Sequence, residues 1–164
     1  MPVVISLADV VEALEFASDE AVHYLDPETG EILMITKDEM EIVEEEDEED
    51  WTHHPKWQQE TLPKVRDFLN NPRALELPGK FEIHEWEIMR EFAEEQENPR
   101  TRQGLLNAIH GAGAFRSFKN TLYTLGIEES WFKFREKALK QIARDWLEEN
   151  KLAYKEGKRK RDEE

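Results

Sequence analysis

The first fifty residues hold 18 acidic side chains and a single base, Lys37, a net charge of −17. Carboxylates at that density cannot be packed against one another. The segment can fold only by turning them to solvent and gathering its few apolar side chains on the opposite faces of short elements. The rest of the chain runs the other way: residues 51–100 sum to −3 and residues 101–164 to +4, so the whole carries −16. Such asymmetry implies one of two things. Either two faces of opposite sign satisfy each other within the molecule, or an acidic end serves a basic partner and the other end serves an anion.

At 164 residues and 19.4 kDa the chain has the length of one domain. Five Trp and eight Phe supply the bulk for a modest core despite 37% charged residues, so global disorder is excluded. With no cysteine there is no disulfide, thiolate metal site or cysteine nucleophile. No apolar run approaches the ~20 residues of a membrane span, and no basic patch with an apolar core opens the chain. A soluble, cytoplasmic protein is expected.

Ser6, with Asp9 three positions on and apolar Leu7, Val10, Val11, Leu14 and Phe16, predicts a helix over about 6–17. Ala21 to Leu25 and Ile32 to Ile35 flank Asp26-Pro27-Glu28-Thr29-Gly30 and predict a β-hairpin. Glu44 to Asp50 is seven like charges in a row, expected to be a loop or a frayed helix. A helix is expected over Leu62 to Leu69, short extended segments at Ala74 to Leu77 and Phe81 to Ile83, and a helix over Glu85 to Glu95. Further helices are expected from Pro99, from Ala114 to the stop at Gly126, and from Glu128 to Asn150. The fold class is α+β, a small N-terminal antiparallel sheet with a helical C-terminal half. It is expected as a single domain over 1–152, with an acidic loop at 44–50 and a disordered charged tail over 153–164.

Ala108-Ile109-His110-Gly111-Ala112-Gly113-Ala114-Phe115-Arg116-Ser117-Phe118-Lys119, then Gly126-Ile127, Trp131 to Arg135 and Trp146 to Asn150, form a recognisable series. Together with Ile5 to Leu14 and the hairpin turn Asp26 to Gly30, it resembles the bacterial uncharacterised protein family (UPF) numbered one-five-eight, over about residues 3–152. The resemblance implies no activity, and it carries over no catalytic or ligand residue.

Gly111 and Gly113 immediately precede a helix whose first turns carry Arg116 and Lys119. Free backbone N–H groups at a helix start, glycines and adjacent cations are the ingredients of an anion site for phosphate or a nucleotide. Arg135 would complete it, and Trp131 would offer a face for stacking. The competing reading is a sharp helix–helix corner whose arginines pair with acids such as Glu85, Glu91 or Glu136 and cover Trp131 and Phe118. Pro99 to Leu125 also reads as a helix-turn-helix, with Lys158-Arg159-Lys160-Arg161 as a phosphate-seeking arm, but the charge of −16 opposes a polyanion and disfavours nucleic acid.

Adjacent His53 and His54 lack metal-site spacing. No nucleophile setting, phosphate-binding loop or nucleotide fingerprint is present, so no catalytic residue, metal or cofactor is assigned. Phe115, Phe118, Trp131, Phe134 and Trp146 are expected to be core, and Phe132 and Tyr154 to be exposed contacts. The economical expectation is a non-catalytic protein-interaction or regulatory domain. Its acidic N-terminal face would meet an unknown protein partner or a second copy of the chain.

Overall fold

A computed structural model describes residues 3–156. Two compact units are distinguished: residues up to Lys80 together with those from Ala143 onward, and residues 81–142. The first has a net charge of −15 and the second −1, so nearly all of the excess acid resides in one unit.

In the first unit, strand β1 (Ile5–Ser6) leads directly into helix α1 (Leu7–Glu15), whose first turn is capped by Ser6 accepting from the Asp9 N–H. Leu7, Val10, Val11 and Leu14 form its buried stripe, while Asp9, Glu12 and Phe16 face outward. Strands β2 (Ala21–Leu25) and β3 (Ile32–Thr36) are antiparallel, in register from Ala21 opposite Thr36 to Leu25 opposite Ile32. Gly30 closes their turn at φ 80°, its N–H donating to the Asp26 carbonyl at 2.8 Å. Strand β4 (Leu75–Glu76) pairs with the other edge of β2, giving a three-stranded antiparallel sheet in the order β3-β2-β4.

Because side chains alternate across a strand, Tyr24, Leu33 and Ile35 share one sheet face and His23, Ile32 and Met34 the other. The first face packs on Val65 and Phe68 of helix α3 (Lys56–Asn70) and on Met40 and Val43 of helix α2 (Lys37–Glu45).

The acid-rich stretch is more ordered than the sequence predicts, for two reasons. Thr36 and Glu39 form a reciprocal capping box, with Thr36 Oγ1 accepting from the Glu39 N–H at 3.1 Å and Glu39 Oε1 accepting from the Thr36 N–H at 3.0 Å, which starts α2. Then Trp51, 4% exposed, packs with Ile42 and Leu62 and draws Glu48–His53 into a 3-10 helix. Arg66 lies over the Trp51 ring and pairs with Glu48 at 3.1 Å. Helix α3 starts at Lys56, earlier than the predicted Leu62, because Pro55 caps it and Gln58, Leu62, Val65 and Phe68 are its buried positions.

The second unit holds most of α4 (Lys80–Ile83), α5 (Glu85–Glu94), α6 (Pro99–Ala108), α7 (Ala114–Leu125) and the first part of α8 (Glu128–Glu149). Phe81 to Ile83 is thus a helical turn and not the extended segment expected. Its core is an aromatic cluster in which Phe92 lies edge-on to Trp131 at 5.4 Å, and Phe118 edge-on to Trp131 at 4.9 Å. Phe134 joins at 5.3 Å from Phe92.

The aromatic stripe expected to be core is only partly so. Phe115 is 47% exposed, and the buried row of α8 runs through Trp131, Leu139, Ala143 and Leu147, leaving Trp146 half-buried. At 100° per residue, positions 139, 143 and 147 lie about 80°, 120° and 160° round the helix from Trp131 and position 146 only about 60°, so the buried row winds steadily off the straight stripe that the sequence pattern traces. The last seven residues of α8 belong with the first unit, as does strand β5 (Tyr154–Lys155), which runs parallel to β1. Residues 154 and 155, which the sequence placed in a disordered tail, therefore have a partner strand. Lys158 to Arg161 lie outside the described residues. Among the described residues no helix is long and apolar enough to cross a membrane.

Candidate functional site

The predicted anion corner lies in the second unit. Ile109 ends α6, and its carbonyl accepts from Trp86 Nε1 at 2.9 Å, which fixes where the chain turns. Gly111 and Gly113 then adopt φ 80° and 75°, and a Cβ at either would meet nothing within 4 Å. These glycines serve the left-handed backbone of the turn and not a close approach. Gly113 caps α7 without a side-chain acceptor, and Arg116 and Lys119 on its first turns are exposed and form no ion pair among the described residues.

The other two residues of the predicted set are engaged elsewhere. Arg135 donates from Nε at 2.7 Å and from a terminal nitrogen at 2.5 Å to the same oxygen, Oε1 of Glu85, with both side chains little exposed. Trp131 is 5% exposed and enclosed by Phe92, Phe118 and Phe134, so its faces are closed to a stacking ligand. Gly111, Gly113, Arg116 and Lys119 thus stay neighbours along the chain at this turn, while Arg135 and Trp131 are committed to Glu85 and to the aromatic core.

A second site, which the sequence did not single out, lies in the acidic unit. The sheet face carrying His23, Ile32 and Met34 is incompletely covered, and α1 runs beside it with Asp9, Glu12, Ala13 and Phe16 along one side. These four positions follow helical i, i+3, i+4, i+7 spacing, which makes them one stripe. Between helix and sheet is an open cleft of about 630 Å³, closed at one end by Gly30 and Glu31 of the hairpin turn. Phe16 is 62% and Met34 49% exposed, so the mouth of the cleft presents two large apolar side chains to water.

Asp9 and Glu12 form no ion pair among the described residues, and Glu31 pairs with exposed Lys64 at 2.9 Å. His23, opposite Met34, is the one basic side chain in the lining among the described residues; burial pushes its imidazole below the ordinary value, which keeps it neutral at pH 7. The cleft therefore combines apolar side chains, Ala13, Phe16, Ile32 and Met34, with the carboxylates Asp9, Glu12 and Glu31. The signal in the sequence was Phe16, which lies off the buried stripe of α1, opposite the alternation that turns His23 and Met34 to the same side.

His54 bonds Glu46 at 3.0 Å, and the two neighbouring histidines take separate environments. Tyr154, expected as an exposed contact, is instead half-buried in β5, and its hydroxyl donates to Glu148 at 2.9 Å. Phe132 is 58% exposed, as expected.

The sequence profile of the Uncharacterised protein family (UPF0158) matches residues 1–159. A relative from Pseudomonas aeruginosa, UPF0158 protein PA5073, is 24% identical over 154 residues, which span 92% of this chain and 86% of the relative. No solved structure matches the chain.

Proposed function

Given that the chain belongs to the Uncharacterised protein family (UPF0158), a membership that brings no activity with it, we propose that it is a non-catalytic, cytoplasmic interaction domain whose acidic unit docks a basic partner protein. One observation carries this reading. Asp19, Glu28, Glu31, Glu46 and Glu48 meet cations at Lys80, Arg73, Lys64, His54 and Arg66, all in the same unit. Lys133, Arg135 and Arg144 of the last third pair instead with Glu129, Glu85 and Glu156.

Exposed Glu41, Glu44 and Glu45 on α2 form no ion pair among the described residues, and neither do Asp9 and Glu12 on α1. Carboxylates ordered on helices and left unmatched raise a negative potential that steers a positive surface and sets its on-rate. They contribute little to stability, since exposed pairs are worth only about 0–1 kcal/mol each.

The test is a pull-down from bacterial lysate with the intact protein and with a Glu41→Gln, Glu44→Gln, Glu45→Gln variant, each at low and high salt. The reading predicts interactors that the intact protein retains at low salt and that are lost both with salt and in the variant. An interactor set indifferent to both would refute it.

A further inference from the structure

We propose that the cleft between α1 and the open sheet face takes an apolar side chain flanked by lysine or arginine, presented on an extended segment of a basic partner protein. This deepens the docking reading above and rests on it, adding a shaped recognition pocket to what would otherwise be steering alone.

Three features of the cleft select that occupant. Its volume of about 630 Å³ lies within the range of pockets that enclose a compact ligand, so it holds one large side chain and the stems of its neighbours. Its floor is Ala13 and Ile32, and its mouth is Phe16 and Met34. Methionine is flexible and polarisable, which lets the mouth adapt to side chains of different shape. Soluble domains seldom leave such side chains adjacent and wet without a use for them.

The third feature is charge. Asp9 and Glu12 stand on the helix side and Glu31 on the hairpin side, so cations flanking a seated apolar group would find carboxylates in both directions. Lys64, the present partner of Glu31, is about half exposed, so a solvated ligand cation exchanges for it at little cost. Among the described residues no lysine or arginine lines the cleft to oppose such a ligand. The chain's own run from Lys158 to Arg161 matches the rim but has no apolar residue to fill the floor. A partner segment that combines both chemistries satisfies the whole cleft.

The probes are two fluorescein-labelled peptides, Lys-Arg-Leu-Arg-Lys and the same peptide with glycine at its centre, titrated with the full chain by fluorescence anisotropy at low salt. The leucine peptide is expected to bind at least about fivefold more tightly than the glycine peptide, the gain from seating one apolar side chain. A Phe16→Ser, Met34→Ser variant should lose that preference and keep the glycine peptide's affinity, and a Glu12→Gln variant should weaken both. Circular dichroism verifies folding, which changes at exposed positions leave intact.

Equal binding of the two peptides overturns the pocket while leaving the docking reading standing; failure of either to bind at low salt overturns both. Sedimentation showing a dimer of the intact protein that Phe16→Ser, Met34→Ser abolishes would assign the cleft to a second copy and overturn the partner segment. A chain ended at Glu156 that binds both peptides far more tightly would assign it to the protein's own tail, with the same effect.

Discussion

Replacing Arg135 by methionine separates the two uses a cation at that place could have. Methionine keeps much of the stem that covers its neighbours and removes the guanidinium. Both of the donors that Arg135 directs at Glu85 converge on Oε1, and the second oxygen, Oε2, is buried without a hydrogen-bond partner. With the guanidinium gone, the whole carboxylate is left without a counter-charge at a position where its side chain is 22% exposed. Breaking a fully buried pair from one side costs about 3–5 kcal/mol, and the remaining contact with water lowers the expectation here to about 2–3 kcal/mol.

The double variant Arg135→Met, Glu85→Leu removes both charges and should recover most of that loss, because the penalty lies in the stranded carboxylate more than in the absence of the pair. Urea unfolding followed by tryptophan fluorescence is a suitable assay, since Trp131 lies in the aromatic core one turn from Arg135. A cost below about 0.5 kcal/mol for Arg135→Met would refute the reasoning. It would mean that Arg135 is not committed to Glu85 and is available to an anion at the Gly111 corner.

Phe118→Ala removes a side chain that is 1% exposed and edge-on to both Phe92 and Trp131; it should cost about 3–5 kcal/mol in the same assay. Burial lowers the His23 pKa in the folded protein, so the unfolded chain takes up its proton first. The stability this contributes is fully present above the unfolded value of about 6.5 and is lost as pH falls through the folded one. The urea midpoint should therefore fall on acidification below pH 6.5, and a His23→Gln variant should show a shallower fall over that window.

What the sequence revealed follows the strength of its local signals. Ser6 with Asp9, the Pro27 to Gly30 turn, Asn98-Pro99 and Gly126 each act through the backbone within a few residues, and the elements they bound appear where those residues place them. The helix α2 was obscured because its composition speaks of repulsion, while the device that starts it, the Thr36–Glu39 capping box, involves two side chains in an otherwise acidic run. Strands β1 and β5 are two residues each and exist through pairing between chain segments about 150 positions apart, which no local pattern encodes.

The candidate site divided in the same way. Gly111 and Gly113 were legible as a turn, yet whether Arg135 faces that turn or Glu85 depends on tertiary placement. The cleft was invisible because it is made by what fails to cover His23 and Met34, and a sequence records side chains and not uncovered space.

The central claim is that the unmatched acids of the first unit steer a partner. Its most direct test is the association rate of the captured partner, measured by stopped flow over a range of ionic strength. The account predicts a fall of at least about tenfold between 50 and 500 mM salt for the intact protein, as expected for steered encounter. The Glu41→Gln, Glu44→Gln, Glu45→Gln variant should start slower and vary less. A rate that is flat with salt, or the same for both proteins, would contradict it.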